Sequence, residues 1–249
     1  MATYACADLH GRYDLWEQVK AFLQPEDKVY YLGDAGDRGP DGWKLITALL
    51  NDPQVIYIKG NHEEILADAI REYHYTEGMY QDWAIKMLVS NGGAETLYDW
   101  ASMTQEDYSY IGKLSRLPYC AEYRNKDGYL IWLSHSGYPP FKNVNSGKNV
   151  VPERLALWDR DHCWTPHWGD EDLDMICVHG HTPIPYFFEG YTDVEIDLGA
   201  LWYCEDHKVC LDTGAWASGY TVLFDLDTFD EHIFYDDTLA TALLETEEQ

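Results

Sequence analysis

Apolar positions in the first sixty residues fall into two alternating patterns. Ala2–Ala7 is a short apolar run, and Leu15, Val19, Phe22 and Leu23 then recur at i, i+4, i+7 and i+8, the spacing of one helical face. Lys28–Leu32 reads as a second strand. A helix with Ile46, Leu49 and Leu50 on one side follows it, with Asp41 placed to cap that helix. Val55–Ile58 is the third strand candidate. Such alternation favours parallel strands joined by right-handed crossovers. Residues 63–116 read as largely helical, with Ile65, Ile70, Ile85, Leu88 and Leu97 as packing residues. The second half changes character. Tyr119–Tyr123, Tyr129–Ser134, Asp174–Val178, Lys208–Asp212 and Tyr220–Asp225 are short strand candidates separated by turns. Residues 236–249 form an acidic tail. With no internal repeat and no Gly/Ser- or Pro-rich linker, residues 1–249 read as a single domain in which two facing sheets are covered by helices.

Composition narrows the functional classes. The chain is 46% hydrophobic and 24% charged over 249 residues, enough to bury a core without disulfides. No stretch approaches the roughly 18–20 apolar residues of a membrane span. The first residues lack a basic segment before an apolar one, so a cytoplasmic, non-membrane protein is expected. Six cysteines (Cys6, Cys120, Cys163, Cys177, Cys204, Cys210) show no Cys-x-x-Cys spacing and read as reduced, mostly buried thiols. Asp plus Glu outnumber Lys plus Arg by 44 to 17, a net charge of −27. Such a surface repels polyanions and excludes broad nucleic-acid binding. Aromatic residues cluster at Tyr73, Tyr75, Tyr80 and Trp83, where core packing and helix-surface contact are the default reading and a substrate face or lid the alternative.

Five short blocks hold the residues that suggest chemistry: Asp8-Leu9-His10-Gly11, Gly33-Asp34-Ala35-Gly36-Asp37-Arg38-Gly39, Gly60-Asn61-His62-Glu63, His135-Ser136-Gly137 and Gly180-His181-Thr182-Pro183. Each follows a strand candidate, and ligands of α/β sheets sit outside the carboxyl ends of strands. Carboxylate, imidazole and amide oxygen together suit divalent Mn, Fe or Zn. Asp8 and His10, two apart, could grip one ion, while the two oxygens of Asp34 could bridge a pair. Asn61, His135 and His181 could complete a second site. Asp-x-His alone is weak evidence: about one is expected by chance, and a second stands at Asp230-Glu231-His232. Gly-Asn-His-Glu is expected on the order of 0.001 times in a chain of this composition, so the ordered set carries weight.

On these motifs the chain resembles the metallo-dependent, calcineurin-like phosphoesterases. Within them it is most similar to the PPP-type serine/threonine protein phosphatases of the phage and bacterial branch typified by bacteriophage lambda phosphatase. Asn91-Gly92-Gly93, Leu157-Trp158-Asp159-Arg160 and Leu211-Asp212-Thr213-Gly214-Ala215 extend the likeness. The resemblance implies a four-layer α-β-β-α sandwich of two mixed sheets flanked by helices. It implies two divalent cations, with manganese first and iron or zinc as alternatives. Asp8, His10 and Asp34 would hold the first ion, and Asp34, Asn61, His135 and His181 the second. His62 would be the general acid, oriented by Asp37, with Arg38 and Arg160 on the phosphate oxygens and a metal-bridging hydroxide as nucleophile. The formal charge of such a site is about +3, which suits a phosphomonoester dianion. The substrate implied is a phosphoserine or phosphothreonine protein or a small phosphoester; diadenosine polyphosphates and other nucleotides are the alternative. Arg154 is a rival to Arg160. Two departures from the family pattern, Ala7 for Gly and Lys59 for Arg, bear on backbone crowding and on substrate contacts.

Overall fold

The structure is a computed structural model and describes residues 1–75, 83–102, 109–138, 140–142, 148–164, 175–189, 197–203 and 207–241. The side chains of Tyr73 and Tyr75, all of Tyr80 and Cys204, the expected strand start at Asp174 and the tail beyond 241 lie outside the described residues. Strands β1 (Thr3–Cys6), β2 (Lys28–Tyr31) and β3 (Val55–Tyr57) pair in parallel and are linked by helices α1 (Tyr13–Phe22) and α2 (Gly42–Asn51). Helices α3 (Asn61–Tyr75), α4 (Trp83–Ser90), α5 (Ala94–Ala101) and α6 (Ser109–Leu114) occupy the region expected to be helical. Next come β4 (Cys120–Arg124) and β5 (Leu130–Ser134), an antiparallel pair. A two-stranded ribbon of β6 (Phe141–Lys142) and β7 (Asn149–Val150) follows, then α7 (Glu153–Trp158) and β8 (Met175–His179). The chain continues through β9 (Leu201–Tyr203), β10 (Lys208–Cys210), α8 (Ala215–Ser218), β11 (Tyr220–Asp225) and β12 (Glu231–Tyr235).

Two five-stranded sheets result, ordered β12-β11-β1-β2-β3 and β4-β5-β8-β10-β9. The strand Tyr220–Asp225 leaves its chain neighbours and pairs antiparallel with β1, Tyr4 opposite Asp225, bringing β12 with it. Both sheets are therefore mixed, and the fold is the expected α/β arrangement of two mixed sheets flanked by helices.

Side-chain alternation explains the layering. In β1, Tyr4 and Cys6 point into the core beneath the helices, beside Leu15, Val19, Leu45 and Ile70. Ala5 and Ala7 point the other way, into the core between the sheets. In the second sheet, Ile131, Leu133, Ile176 and Val178 face that same inter-sheet core. Trp132, Met175 and Cys177 face outward against Ala156 of α7. Strands buried on both faces read as continuous apolar runs, as these do.

One local expectation needs correction. Asp41 sits at the N-cap of α2, but its side chain makes no capping hydrogen bond; only its carbonyl accepts the Leu45 N–H, at 2.9 Å. Of the two default readings for Trp83, the structure gives the helix surface and not the core: it is 68% exposed and lines a groove with Glu64, Met87, Glu153, Arg154 and Trp158. The five described cysteines form no disulfide with one another, and four are buried. Among the described residues no helix is long and apolar enough to cross a membrane.

Candidate metal centre

All five motif blocks lie just beyond the carboxyl ends of parallel strands. The registers Cys6↔Tyr31 and Tyr31↔Tyr57 keep β1, β2 and β3 level, so their exits meet at one edge. The exit loops of β1 and β2 stay hydrogen-bonded: Asp8 N–H donates to Gly33 O at 3.1 Å and His10 N–H to Asp34 O at 3.1 Å. Six of the seven non-glycine residues with positive φ among the described residues are Asp8, His10, Asp34, Asp37, Arg38 and His181. Left-handed backbone costs an L-residue free energy, and its concentration here marks where the fold holds side chains in a required direction.

Asp34 stands at the middle of the cluster. Its Oδ1 lies 3.3 Å from His135 Nε2, and its Oδ2 lies 3.6 Å from His10 Nε2 and 3.7 Å from His62 Nε2. Two groups of possible ligands share it, His10–Asp34–His62 and Asp34–His135–His181. In the second group Asn61 Oδ1 approaches His135 Nε2 at 2.9 Å and His181 Nδ1 at 3.0 Å. Asp8 joins from β1, its carboxylate accepting the His181 N–H at 3.1 Å. Asp8, His10, Asp34, Asn61, His135 and His181 thus come together, all buried.

The donor set suits divalent cations. His10 Nδ1–H donates to Gly36 O at 2.8 Å and His135 Nδ1–H to Leu32 O at 2.7 Å, which leaves each Nε2 free to offer a lone pair. Burial, aided by neighbouring His62, holds His10 well below its usual range, and burial with His135 does the same to His181. Both shifts favour the neutral imidazole, the form that binds a metal. Burial, then Asp212 and Asp34, push Asp8 well above the ordinary carboxylate range. Crowded buried carboxylates are the charge pattern a cation relieves.

His62 enters the same space from the first turn of α3. Its Nδ1–H donates to Asp37 Oδ2 at 2.6 Å. Burial pulls this imidazole down, but Asp34 and Asp37 together outweigh it, and the net shift is upward. Asp37 is held by its own N–H donating to Thr96 Oγ1 at 3.0 Å, and the Arg38 N–H donates to Gly92 O at 2.9 Å. The Asn91-Gly92-Gly93 block thereby supports the Asp37–Arg38 turn. The Arg38 guanidinium lies 2.9 Å from His10 Nε2 and 3.3 Å from His62 Nε2. Arg160 reaches the same cleft and donates to His181 O at 3.2 Å. Arg154 lines the separate groove beside Trp83.

Two residues here had no role in the sequence reading. Glu63 is fully buried: Oε2 accepts the N–H groups of Asp34 and Gly60, and Oε1 accepts the Ala35 N–H and the Tyr57 hydroxyl, all at 2.8–2.9 Å. Gly60 precedes α3, so Glu63 reaching back to it is one half of a capping box, a signal present in the Gly-Asn-His-Glu block itself. Asp34 Oδ1 accepts the next free amide, His62 N–H, at 3.0 Å, so the shared carboxylate is held at a helix N-terminus. Asp212, beyond β10, is the second. Its Oδ1 accepts the Gly214 N–H, its Oδ2 is buried without a partner, and burial pushes its carboxyl up to about 6.

The two departures from pattern resolve simply. Ala7 faces Gly180, where a Cβ would come within 2.9 Å of the alanine methyl, so the missing side chain of Gly180 makes its room. Lys59 turns away from the cluster to Glu153 Oε1 at 3.0 Å. A Cβ on Gly180 would also fall 1.8 Å from Asp8 Oδ2. Gly180→Ala is expected to displace that carboxylate and weaken metal affinity by about 10–100-fold, measured by calorimetric titration.

Comparison with known proteins agrees with this geometry. The chain is 26% identical over 207 residues to serine/threonine-protein phosphatase 1 of Salmonella typhimurium, covering 80% of this chain and 87% of that one. It is 25% identical over 216 residues to the symmetrical bis(5'-nucleosyl)-tetraphosphatase of Nitrosococcus oceani, covering 82% and 67%. Its fold matches the crystal structure of a metallophosphoesterase from Sphaerobacter thermophilus, with a TM-score of 0.54 at 14% identity over 100% of this chain and 94% of that one. The calcineurin-like phosphoesterase family matches residues 1–214, and the chain belongs to that family of phosphoester hydrolases.

Proposed function

We propose that the chain, acting as one domain in the cytoplasm, hydrolyses phosphomonoesters, phosphoserine and phosphothreonine in proteins before others. The observation that carries this reading is Asp34, whose two oxygens face separate ligand groups while the Asp37-supported His62 shares the space between them. Asp8, His10 and Asp34 would hold one divalent cation and Asp34, Asn61, His135 and His181 the other, with manganese first and iron or zinc as alternatives. Bound there, the two ions supply a water of lowered pKa and neutralise charge on the phosphoryl group. Arg38 and Arg160 bind and orient the phosphate oxygens from the cleft side. His62, oriented and kept protonated by Asp37 against the pull of the metals, delivers its Nε2 proton to the departing alkoxide. Similarity to the Salmonella serine/threonine-protein phosphatase supports the phosphoprotein substrate; similarity to the Nitrosococcus tetraphosphatase supports the nucleotide alternative.

A panel with manganese tests the substrate: a phosphoserine peptide, diadenosine tetraphosphate and a phosphodiester, compared by kcat/KM. The peptide is expected to lead; a dominant rate on either other substrate overturns the protein-phosphatase reading. Metal loading has a separate readout. Divalent cation at about 100 times its Kd should add roughly 2.7 kcal/mol of stability. For a chain of this size that raises Tm by about 5–10 °C. Scanning calorimetry with and without chelator measures it, and an unmoved Tm counts against a built metal site.

A further inference from the structure

Asp212 stands outside the two ligand groups that share Asp34, and the second sheet places it next to them. Strand β10 runs parallel to β8 with Cys210 opposite His179, and the Leu211 N–H donates to His179 O at 2.7 Å. Continued by two residues, that register sets Asp212 level with His181, whose own N–H donates to the Asp8 carboxylate at 3.1 Å. The Asp212 carbonyl accepts the Ile184 N–H at 2.8 Å, so its main chain also fixes the turn that follows His181. One side-chain oxygen is tied down as well: Oδ1 accepts the Gly214 N–H at 2.9 Å. The other, Oδ2, is buried on a residue only 1% exposed and meets no donor among the described residues. A buried carboxylate oxygen left without a donor is costly. Beyond burial, Asp212 does most to raise the Asp8 carboxyl, ahead of Asp34, so the two side chains share one neighbourhood.

We propose that Asp212 is a positioning residue of the metal centre, its Oδ2 accepting a hydrogen bond from a water carried by the cation on the Asp8 side. The inference rests on the two-cation reading above. An ionised carboxylate only accepts, and water on a divalent cation is a strong donor because the ion acidifies it. The bond from Gly214 preorganises the carboxylate for that contact. Its negative charge also offsets part of the positive charge of the loaded site, so Asp212 strengthens cation binding without touching either ion. Where no cation is bound, the same charge only adds to the crowding of Asp8 and Asp34. The role therefore has a signature: Asp212 favours the loaded protein and disfavours the metal-free one.

Asp212→Asn tests this, because the asparagine oxygen can keep the Gly214 N–H while the second oxygen and the charge are lost. Calorimetric titration with Mn²⁺ alone is expected to show binding about 10–100-fold weaker than wild type at unchanged stoichiometry. In chelator, the same variant should melt at or above the wild-type Tm, since one of three crowded carboxylates has gone. A Tm in chelator lowered by more than about 4 °C would mark a merely structural role and overturn the proposal. One bound ion fewer per chain at saturation would make Asp212 a ligand and overturn it too. Asp127→Asn is the control for net charge: Asp127 is exposed and precedes β5, at the end remote from His135. It should leave the Mn²⁺ affinity unchanged, and equal weakening in both variants would reduce Asp212 to its charge alone and sink the water contact. Water-proton relaxation of the manganese-loaded forms reads that contact directly. Faster water exchange is expected in Asp212→Asn, and equal exchange counts against the hydrogen bond. Wild-type protein that binds no Mn²⁺ would overturn the two-cation reading and this inference together. Equal affinity of wild type and Asp212→Asn would overturn only the role of Asp212.

Discussion

His62→Asn should lower kcat on a phosphomonoester by about 10²–10⁴-fold while the protein keeps its full complement of metal. The geometry gives the reason for the loss of turnover, and the metal content decides the role. His62 Nδ1 is committed to Asp37 at 2.6 Å, so only Nε2 can face a substrate. That Nε2 lies 3.7 Å from Asp34 Oδ2, within the ligand group that also contains His10. A proton donor and a metal ligand would therefore both lose activity on substitution, and metal content separates them. Elemental analysis of the purified variant, alongside single-turnover kinetics, reads the difference. Wild-type turnover would remove His62 from the mechanism; loss of one ion per chain would make it a ligand.

Glu63→Ala should cost at least about 3 kcal/mol, a large share of the roughly 5–15 kcal/mol by which domains are stable. Truncation orphans the N–H groups of Asp34, Ala35 and Gly60 and the hydroxyl of Tyr57, every one of them buried with its partner. Glu63→Gln should fall between. Its single amide oxygen can keep Asp34 and Gly60, the Tyr57 hydroxyl can turn to accept, and only the Ala35 N–H is opposed, for about 1–3 kcal/mol. Urea denaturation measures both variants. A Glu63→Ala midpoint within about 1 kcal/mol of wild type would show that the hydrogen bonds drawn to this carboxylate do not hold the Asp34 loop.

Much of the architecture was legible because its cause is local. The β1-α1-β2-α2-β3 alternation follows from apolar spacing, and each strand buried on both faces left a continuous apolar run. Asp8, His10, Asp34, Asn61, His62, His135 and His181 were legible as a set because glycine-bracketed polar blocks each followed such a run. Glu63 was readable in principle from its capping-box position, yet its partners on the β2 exit loop, 28 and 29 residues away, were not. Asp212 stood in a segment that extends the likeness but had no role to read, since its place beside Asp8 depends on how β10 stacks in the opposite sheet.

The sequence by itself determined which side chains could carry metal and proton chemistry, and that parallel strands would present some of them at one edge. Those are matters of residue type and short-range periodicity. Tertiary structure alone decided that β11 crosses to pair with β1, and that the two sheets face each other so that Asp34 from one meets His135 and His181 from the other. It also decided that Trp216 and Tyr186 share a cleft with the two arginines. Contacts of that kind join residues tens to hundreds of positions apart, and only the packing of the inter-sheet core brings them together.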